Sequence, residues 1–194
     1  MKLSTNAPAS IRTGLAGYYA IRALVSALWV GLALTIGKAL PALGIGLIIA
    51  YPAWDSLANY LDARSNGGLR ANPSQMLNVA VSAIVTIAVA IAATRDFHAV
   101  IAVIGIWAAL AGILQLSTAV RRRRHAGAQW PMILSGAQSA LAGLIFVRKA
   151  ADATTNPTVA DVAPYAAFGA IYFAISAAIL FSKRRDRPAA DPVR

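Results

Sequence analysis

Two charged residues lie inside long apolar runs of this chain, and ionisable groups in such runs are the first candidates for chemistry. Arg22 is 16 residues before Lys38, and Asp55 is 16 residues after Ala39, on either side of a short turn. In an antiparallel helix pair that rises about 1.5 Å per residue, equal counts mean equal depth. Pro52 would bend the second run and turn the carboxylate toward the first. We therefore predict an ion pair between Arg22 and Asp55, although Arg22 could also reach interfacial water alone.

Most other polar residues within the runs fall in the same half of the membrane, and the outer half holds little besides Thr35, Thr86 and Ser176. The predicted cytoplasmic-side cluster consists of Asn59, Asn78, Ser82, Gln115 and Gln138. These residues could line a shallow vestibule, but helix-end residues at the wet interface are the favoured interpretation. Polarity confined to one half argues against a channel or transporter, which needs polar lining across the whole membrane.

The elements that carry these residues are membrane spans. The chain is 58% hydrophobic and 13% charged, whereas soluble domains are about 45–50% apolar and about 25% charged. About 20 apolar residues cross a bilayer as a helix, which predicts an all-α protein with six transmembrane helices. The predicted spans are residues 17–37, 39–61, 76–93, 98–120, 130–147 and 162–182.

A competing interpretation ends the second span near Trp54. Residues 55–62 would then form an amphipathic interfacial helix, with Asp55, Asn59 and Asp62 on one wet face.

The distribution of charge predicts the orientation. The net charge is +11, and with the N-terminus inside, 14 of the 18 basic residues fall on the inner side and four on the outer side. Positive charge collects in short cytoplasmic loops, so both termini are predicted to be cytoplasmic. This explains the basic composition without a nucleic-acid partner. The predicted regions are a cytoplasmic segment (1–16), the membrane domain (17–182) and a basic tail (183–194).

The densest basic cluster follows the fourth span and consists of Arg121, Arg122, Arg123 and Arg124. It is predicted to anchor the topology and to contact anionic lipid headgroups.

Signatures of catalysis are not found in the sequence. The two histidines, His98 and His125, are predicted on opposite sides of the membrane, so they cannot share a metal centre. The chain has no cysteine, no nucleophile elbow and no phosphate-binding Gly-Lys-Ser/Thr motif. We expect neither an enzyme nor a cofactor.

The spans form a faint repeat of three tandem hairpins, 1–2, 3–4 and 5–6. Small residues recur at spacing four, as at Gly105 and Ala109 or Ser139 and Gly143, which lets helices approach closely. Packing within one bundle is favoured over a homo-oligomer face.

Residues 105–113 (GIWAALAGI), the arginines that follow, Trp130 and residues 132–136 (MILSG) carry a resemblance to a known family. The layout resembles the HdeD-like family of short-repeat, six-helix bacterial membrane proteins. The resemblance covers roughly residues 17–182 as hydropathy and spans 4 and 5 as motif. It implies an inner-membrane protein, linked in the family's named member to acid resistance, and it supplies no catalytic residues.

The sequence thus predicts a non-enzymatic, multi-pass inner-membrane protein that acts through helix packing, lipid contact or assembly. The alternative is a small carrier or proton-linked transporter that uses Asp55. An Asp held beside Arg would stay charged and carry protons poorly, which disfavours that alternative.

Overall fold

The computed structural model describes residues 9–122 and 130–185, and this part of the chain is helical without a strand. Its helices are α1 (Ala9–Leu32), α2 (Pro41–Ser65), α3 (Pro73–Ala92), α4 (Phe97–Arg122), α5 (Trp130–Ala151) and α6 (Ala163–Arg185). A π-helical turn, Ala33–Gly37, continues α1, and short 3₁₀ turns at Leu69–Ala71 and Val159–Val162 precede α3 and α6. Two of the long helices begin with Pro, which suits a first turn because its missing N–H needs no partner there.

Within the described residues, five helices are long and apolar enough to cross a membrane, as in a multi-pass membrane protein. Helix α5 carries Gln138 and two serines, with Arg148 and Lys149 in its last turn. Large apolar side chains, among them Leu141 and Leu144, are exposed along this helix.

The helices that pack most extensively are α4 with α5, α1 with α6, and α2 with α3. The tandem hairpins predicted from the sequence are therefore not the units of closest packing. Helices α1 and α2 follow each other in the chain but touch mainly through the π-helical turn. The pair α1 and α6 brings the first and last helices together.

Small residues explain why α4 and α5 approach most closely. A Cβ placed on Gly105 would lie 2.9 Å from the carbonyl oxygen of Gly143, and one on Gly136 would lie 3.0 Å from that of Gly112. These pairs are in antiparallel register, and backbone meets backbone at each of them. Association of membrane helices depends on such packing, since lipid tails are as apolar as leucine.

An aromatic cluster fills the centre of the bundle. The Tyr51 ring lies 4.8 Å from Trp29, 5.9 Å from Trp107 and 6.3 Å from Tyr165 between centroids. The Trp29 indole N–H donates to the carbonyl of Leu47 at 2.7 Å, which ties α1 to α2. Burial of the large rings and the hydrogen bond of Trp29 hold these helices together.

A second polar contact crosses the centre. The Ser139 hydroxyl on α5 donates to the carbonyl of Ala108 on α4 at 3.0 Å and lies 3.1 Å from the Tyr165 hydroxyl on α6. Tyr165 can donate to Ser139, which leaves neither hydroxyl unpaired.

The connections α1–α2, α3–α4 and α5–α6 gather at one end of the bundle. Lys149 at the end of α5 pairs with Asp161, and the other oxygen of Asp161 accepts from the backbone N–H of Thr158 at 2.6 Å. Gly37 packs against the Val159 side chain, where an added Cβ would be only 3.0 Å away. The α2–α3 connection and the last turns of α6 therefore lie at the opposite end.

We predict that Gly143→Ala destabilises the protein because the new Cβ would overlap the backbone of Ala109 on α4. Overpacking typically costs about 1–3 kcal/mol, more than the gain in helix propensity from Gly to Ala. Thermal melting of the purified protein in detergent measures the loss. Gly169→Ala is the matched control, since nothing lies within 4 Å of its added Cβ. Equal melting temperatures for the two variants would contradict the close α4–α5 contact.

We further predict that the end that carries Lys38, Arg95 and Asp152 faces away from the cytoplasm. The expectation rests on the 14-to-4 division of basic residues. Reporter fusions made after each of these residues should give the signal of an exported reporter. A cytoplasmic signal from any one of them would break the six-span topology.

Candidate functional site at a buried ion pair

Helices α1 and α2 bring the two intramembrane charges together. Nη2 of Arg22 donates to Oδ1 of Asp55, and the two groups form an ion pair. Only 13% of the Arg22 side chain and 22% of the Asp55 side chain are exposed. The pair therefore lies mostly inside the protein, and Arg22 does not depend on interfacial water.

Helix α3 supplies the next partner of the carboxylate. The Ser82 hydroxyl, 1% exposed, donates to Oδ2 of Asp55 at 2.8 Å. Nδ2 of Asn59 donates to the same oxygen at 3.2 Å and to the backbone carbonyl of Asp55 at 2.8 Å. Asn59 is one turn after Asp55 on α2, so its side chain lies on the same face. Both carboxylate oxygens thus accept hydrogen bonds from the chain itself.

The guanidinium also contacts α6 and its own helix. Nη1 of Arg22 donates to the Tyr18 hydroxyl at 2.8 Å. The Arg22 guanidinium carbon lies 4.4 Å from the centre of the Phe173 ring, within the range of a cation–π interaction. The Phe173 ring also stacks on Tyr19 at 6.0 Å. Arg22 Nε is buried without a hydrogen-bond partner among the described residues.

This network joins α1, α2, α3 and α6 through one pair of opposite charges. Within the membrane-spanning part of a protein, polar groups must find partners in the chain or in a wet cavity. Here the partners come from the chain. In the part of the chain that the structure describes, no group of three His, Cys, Asp or Glu residues could hold a metal ion. The geometry is that of a fixed charge pair.

The predicted polar cluster is only partly assembled. Asn59 and Ser82 join Asp55, but Asn78 is exposed at the surface of α3. Gln138 is half-buried, and no hydrogen bond among the described residues connects it to Asp55. The side chains of three predicted residues lie outside the described part: Gln115, Arg121 and Arg122. Arg123 lies outside it entirely. Arg124 lies outside it as well.

The interfacial-helix interpretation of residues 55–62 does not agree with the structure. Helix α2 is continuous from Pro41 to Ser65, with Pro52 buried inside it. Asn59 is buried and Asp55 points to Arg22 and Ser82, so these residues do not form a wet face. Asp62 lies apart from them and accepts from the side-chain amides of Asn66 and Gln75 at 3.0 Å each.

Sequence reasoning missed two partners of Arg22. Tyr18 is four residues earlier on α1, and that spacing alone places it on the same helix face. Phe173 is on the last helix, and no spacing in the sequence could indicate it because its role depends on the packing of α6 against α1.

We predict that Asp55→Asn and Arg22→Gln each lower the melting temperature in detergent, and that the double variant loses less than the sum. Partners in direct contact typically show coupling of about 0.5–3 kcal/mol. Stability measured for the four proteins of the cycle gives the coupling. A second cycle that combines Arg22→Gln with Asp161→Asn is the control, because Asp161 pairs with Lys149 at the other end of the bundle and should be additive. Additive losses in the first cycle would mean that the pair contributes nothing as a pair.

Comparison with known proteins connects part of this bundle to a sequence family. Residues 77–148 match the model of a family described as a short repeat of unknown function (DUF308). This region runs from α3 through α4 to α5 and includes the close glycine contacts between the last two. No curated protein and no solved structure matches the chain. The chain is thus similar, over these residues, to short-repeat proteins whose function is not described.

Proposed function

We propose that this multi-pass membrane protein is a non-enzymatic component of the inner membrane that acts through helix packing, lipid contact or assembly. The observation that supports the proposal is the self-contained network around Asp55. Arg22, Asn59 and Ser82 occupy both carboxylate oxygens, and Tyr18 and Phe173 engage the guanidinium. A site built in this way holds helices in place.

The alternative is a carrier that uses Asp55. A carrier must release its charged group to a proton or ion and take it back in each cycle. Release of Asp55 here would leave Arg22 without its counter-charge and Ser82 without its acceptor, both largely buried. Breaking a buried pair by removal of one partner costs about 3–5 kcal/mol. A transport cycle would require this free energy at every turnover, which favours the structural role of the pair.

The lipid-contact part of the proposal rests on the surface. Large apolar side chains are exposed along the helices, among them Leu24, Ile84, Ile87, Leu141 and Leu144. Such a surface suits acyl chains, and the arginines 121–124 suit anionic headgroups at the cytoplasmic side.

The resemblance to HdeD-like proteins extends the proposal to envelope or acid stress. This extension is an analogy between families. If cells that lack the protein survive acid normally, the extension to acid stress is wrong, and the rest of the proposal is unaffected.

We predict that proteoliposomes containing the purified protein show no proton flux above empty liposomes when a pH gradient is applied. Flux is measured with a pH-sensitive dye trapped inside the vesicles. Asp55→Asn and the surface variant Asp96→Asn are reconstituted in parallel. Flux that is present in the wild type and in Asp96→Asn but lost in Asp55→Asn would overturn the proposal in favour of the carrier.

A further inference from the structure

An open cleft lies where α2 ends and the chain turns toward α3. It has a volume of about 350 Å³ and is lined by Tyr60, Arg64, Gly67, Gly68, Leu69 and Arg70. This volume falls within the range of small-ligand sites, about 300–1,000 Å³. The cleft is separate from the Arg22–Asp55 network, and none of its residues takes part in that network.

The two arginines of the cleft are available to an external anion. Arg64 and Arg70 are both exposed, and neither forms an ion pair within the described residues. The nearest acid in sequence, Asp62, is occupied by the amides of Asn66 and Gln75. Neither guanidinium therefore lies within 4.0 Å of a carboxylate oxygen of the described residues.

The loop that carries Arg70 is held in shape. The N–H of Gly68 donates to the carbonyl of Ala63 at 2.7 Å, which closes the end of α2 as in a Schellman motif. Nδ2 of Asn72 donates to the carbonyls of Asn66 and Gly68 at 2.7 and 2.9 Å. A loop with a fixed conformation holds the backbone of Arg70 in place before an anion binds, which lowers the entropic cost of binding.

The glycines keep the cleft open. Gly67 and Gly68 have φ angles of 92° and 87°, which residues other than glycine rarely adopt. Neither presents a side chain that would cover the wall between Arg64 and Arg70. A ligand can therefore approach the backbone closely at this point.

The depth of the cleft suits a lipid headgroup. At about 1.5 Å per residue, a helix covers a hydrocarbon core of about 30 Å in about 20 residues. Counted from Pro41, α2 leaves the core near Tyr60, and Arg64 is one turn beyond. Tyr60, which is 40% exposed, would lie at the boundary, where aromatic side chains with a polar end collect.

We propose that this cleft binds the phosphate of an anionic phospholipid headgroup. Guanidinium groups bind phosphate oxygens through paired hydrogen bonds, and two arginines line this cleft. The inference deepens the lipid-contact part of the proposed function and rests on it. It names a site in the α2–α3 loop, distinct from the arginines 121–124.

The test is thermal melting of the full chain in neutral detergent with added phosphatidylglycerol, phosphatidylcholine or inorganic phosphate. Phosphatidylglycerol should raise the melting temperature of the wild type more than phosphatidylcholine does. Arg64→Gln/Arg70→Gln should need about tenfold more phosphatidylglycerol for the same rise, as expected for loss of charge-assisted hydrogen bonds. Without anionic lipid the variant should melt like the wild type, since both side chains are exposed.

The control variant is Arg95→Gln/Arg148→Gln, which removes the same charge from exposed positions at the other end of the bundle. It should keep the full response to phosphatidylglycerol. If the cleft variant does not fold, Arg70→Gln alone takes its place, because Arg70 lies on the loop outside α2.

Three results would overturn the inference. An unchanged response of the cleft variant would place the lipid contact elsewhere and leave the proposed function intact. Equal protection of the wild type by inorganic phosphate would assign the cleft to a soluble anion. No response of the wild type to phosphatidylglycerol would remove the cleft site together with the lipid-contact part of the proposed function.

Discussion

An ion pair inside a membrane-spanning bundle is the constraint on which the rest of this structure depends. A lone guanidinium or carboxylate is costly in a low-dielectric environment, and the cost falls only when counter-charge and hydrogen bonds are both supplied. Arg22 and Asp55 supply counter-charge to each other. Ser82, Asn59 and Tyr18 supply the hydrogen bonds. The orientation of α1, α2 and α3 about their own axes is therefore fixed, because these groups must face one another. Phe173 places the same requirement on α6.

The other half of the bundle is assembled by a different physical effect. Between α4 and α5 the contact is backbone against backbone at Gly105, Gly112, Gly136 and Gly143, and Ser139 adds one hydrogen bond across the pair. Dispersion over a close contact replaces the hydrophobic effect, which gives no preference for a neighbouring helix over lipid. The aromatic cluster around Tyr51 lies between the two halves and contacts both, through Trp29 on α1 and Trp107 on α4.

The two ends of the bundle differ in how they use charge. At the end with the α1–α2 and α5–α6 connections, Lys149 and Asp161 neutralise each other and close a turn. Arg95 and Arg148 are exposed at this end, on separate elements of the chain. At the opposite end, Arg64 and Arg70 remain exposed while Asp62 is engaged by amides. What sets this end apart is that two arginines line one cleft, and such a basic cleft is complementary to an anionic lipid headgroup.

The sequence by itself determined the features that can be counted along the chain, namely the lengths of apolar runs and the spacing of residues. Apolar run lengths located the helix ends within about four residues, except that α1 begins at Ala9, eight residues before the predicted span. Equal counts from the first turn put Arg22 and Asp55 at one depth. The spacing of four could also have indicated Tyr18. Only the tertiary structure decided which helices pack together, that α6 closes on α1, and that Ser82 and Phe173 complete the site while Asn78 stays at the surface. The reason is that lipid is as apolar as the helices, so hydropathy does not indicate which face of a span turns inward. Small residues and a few polar contacts determine that face, and their partners are distant in the sequence.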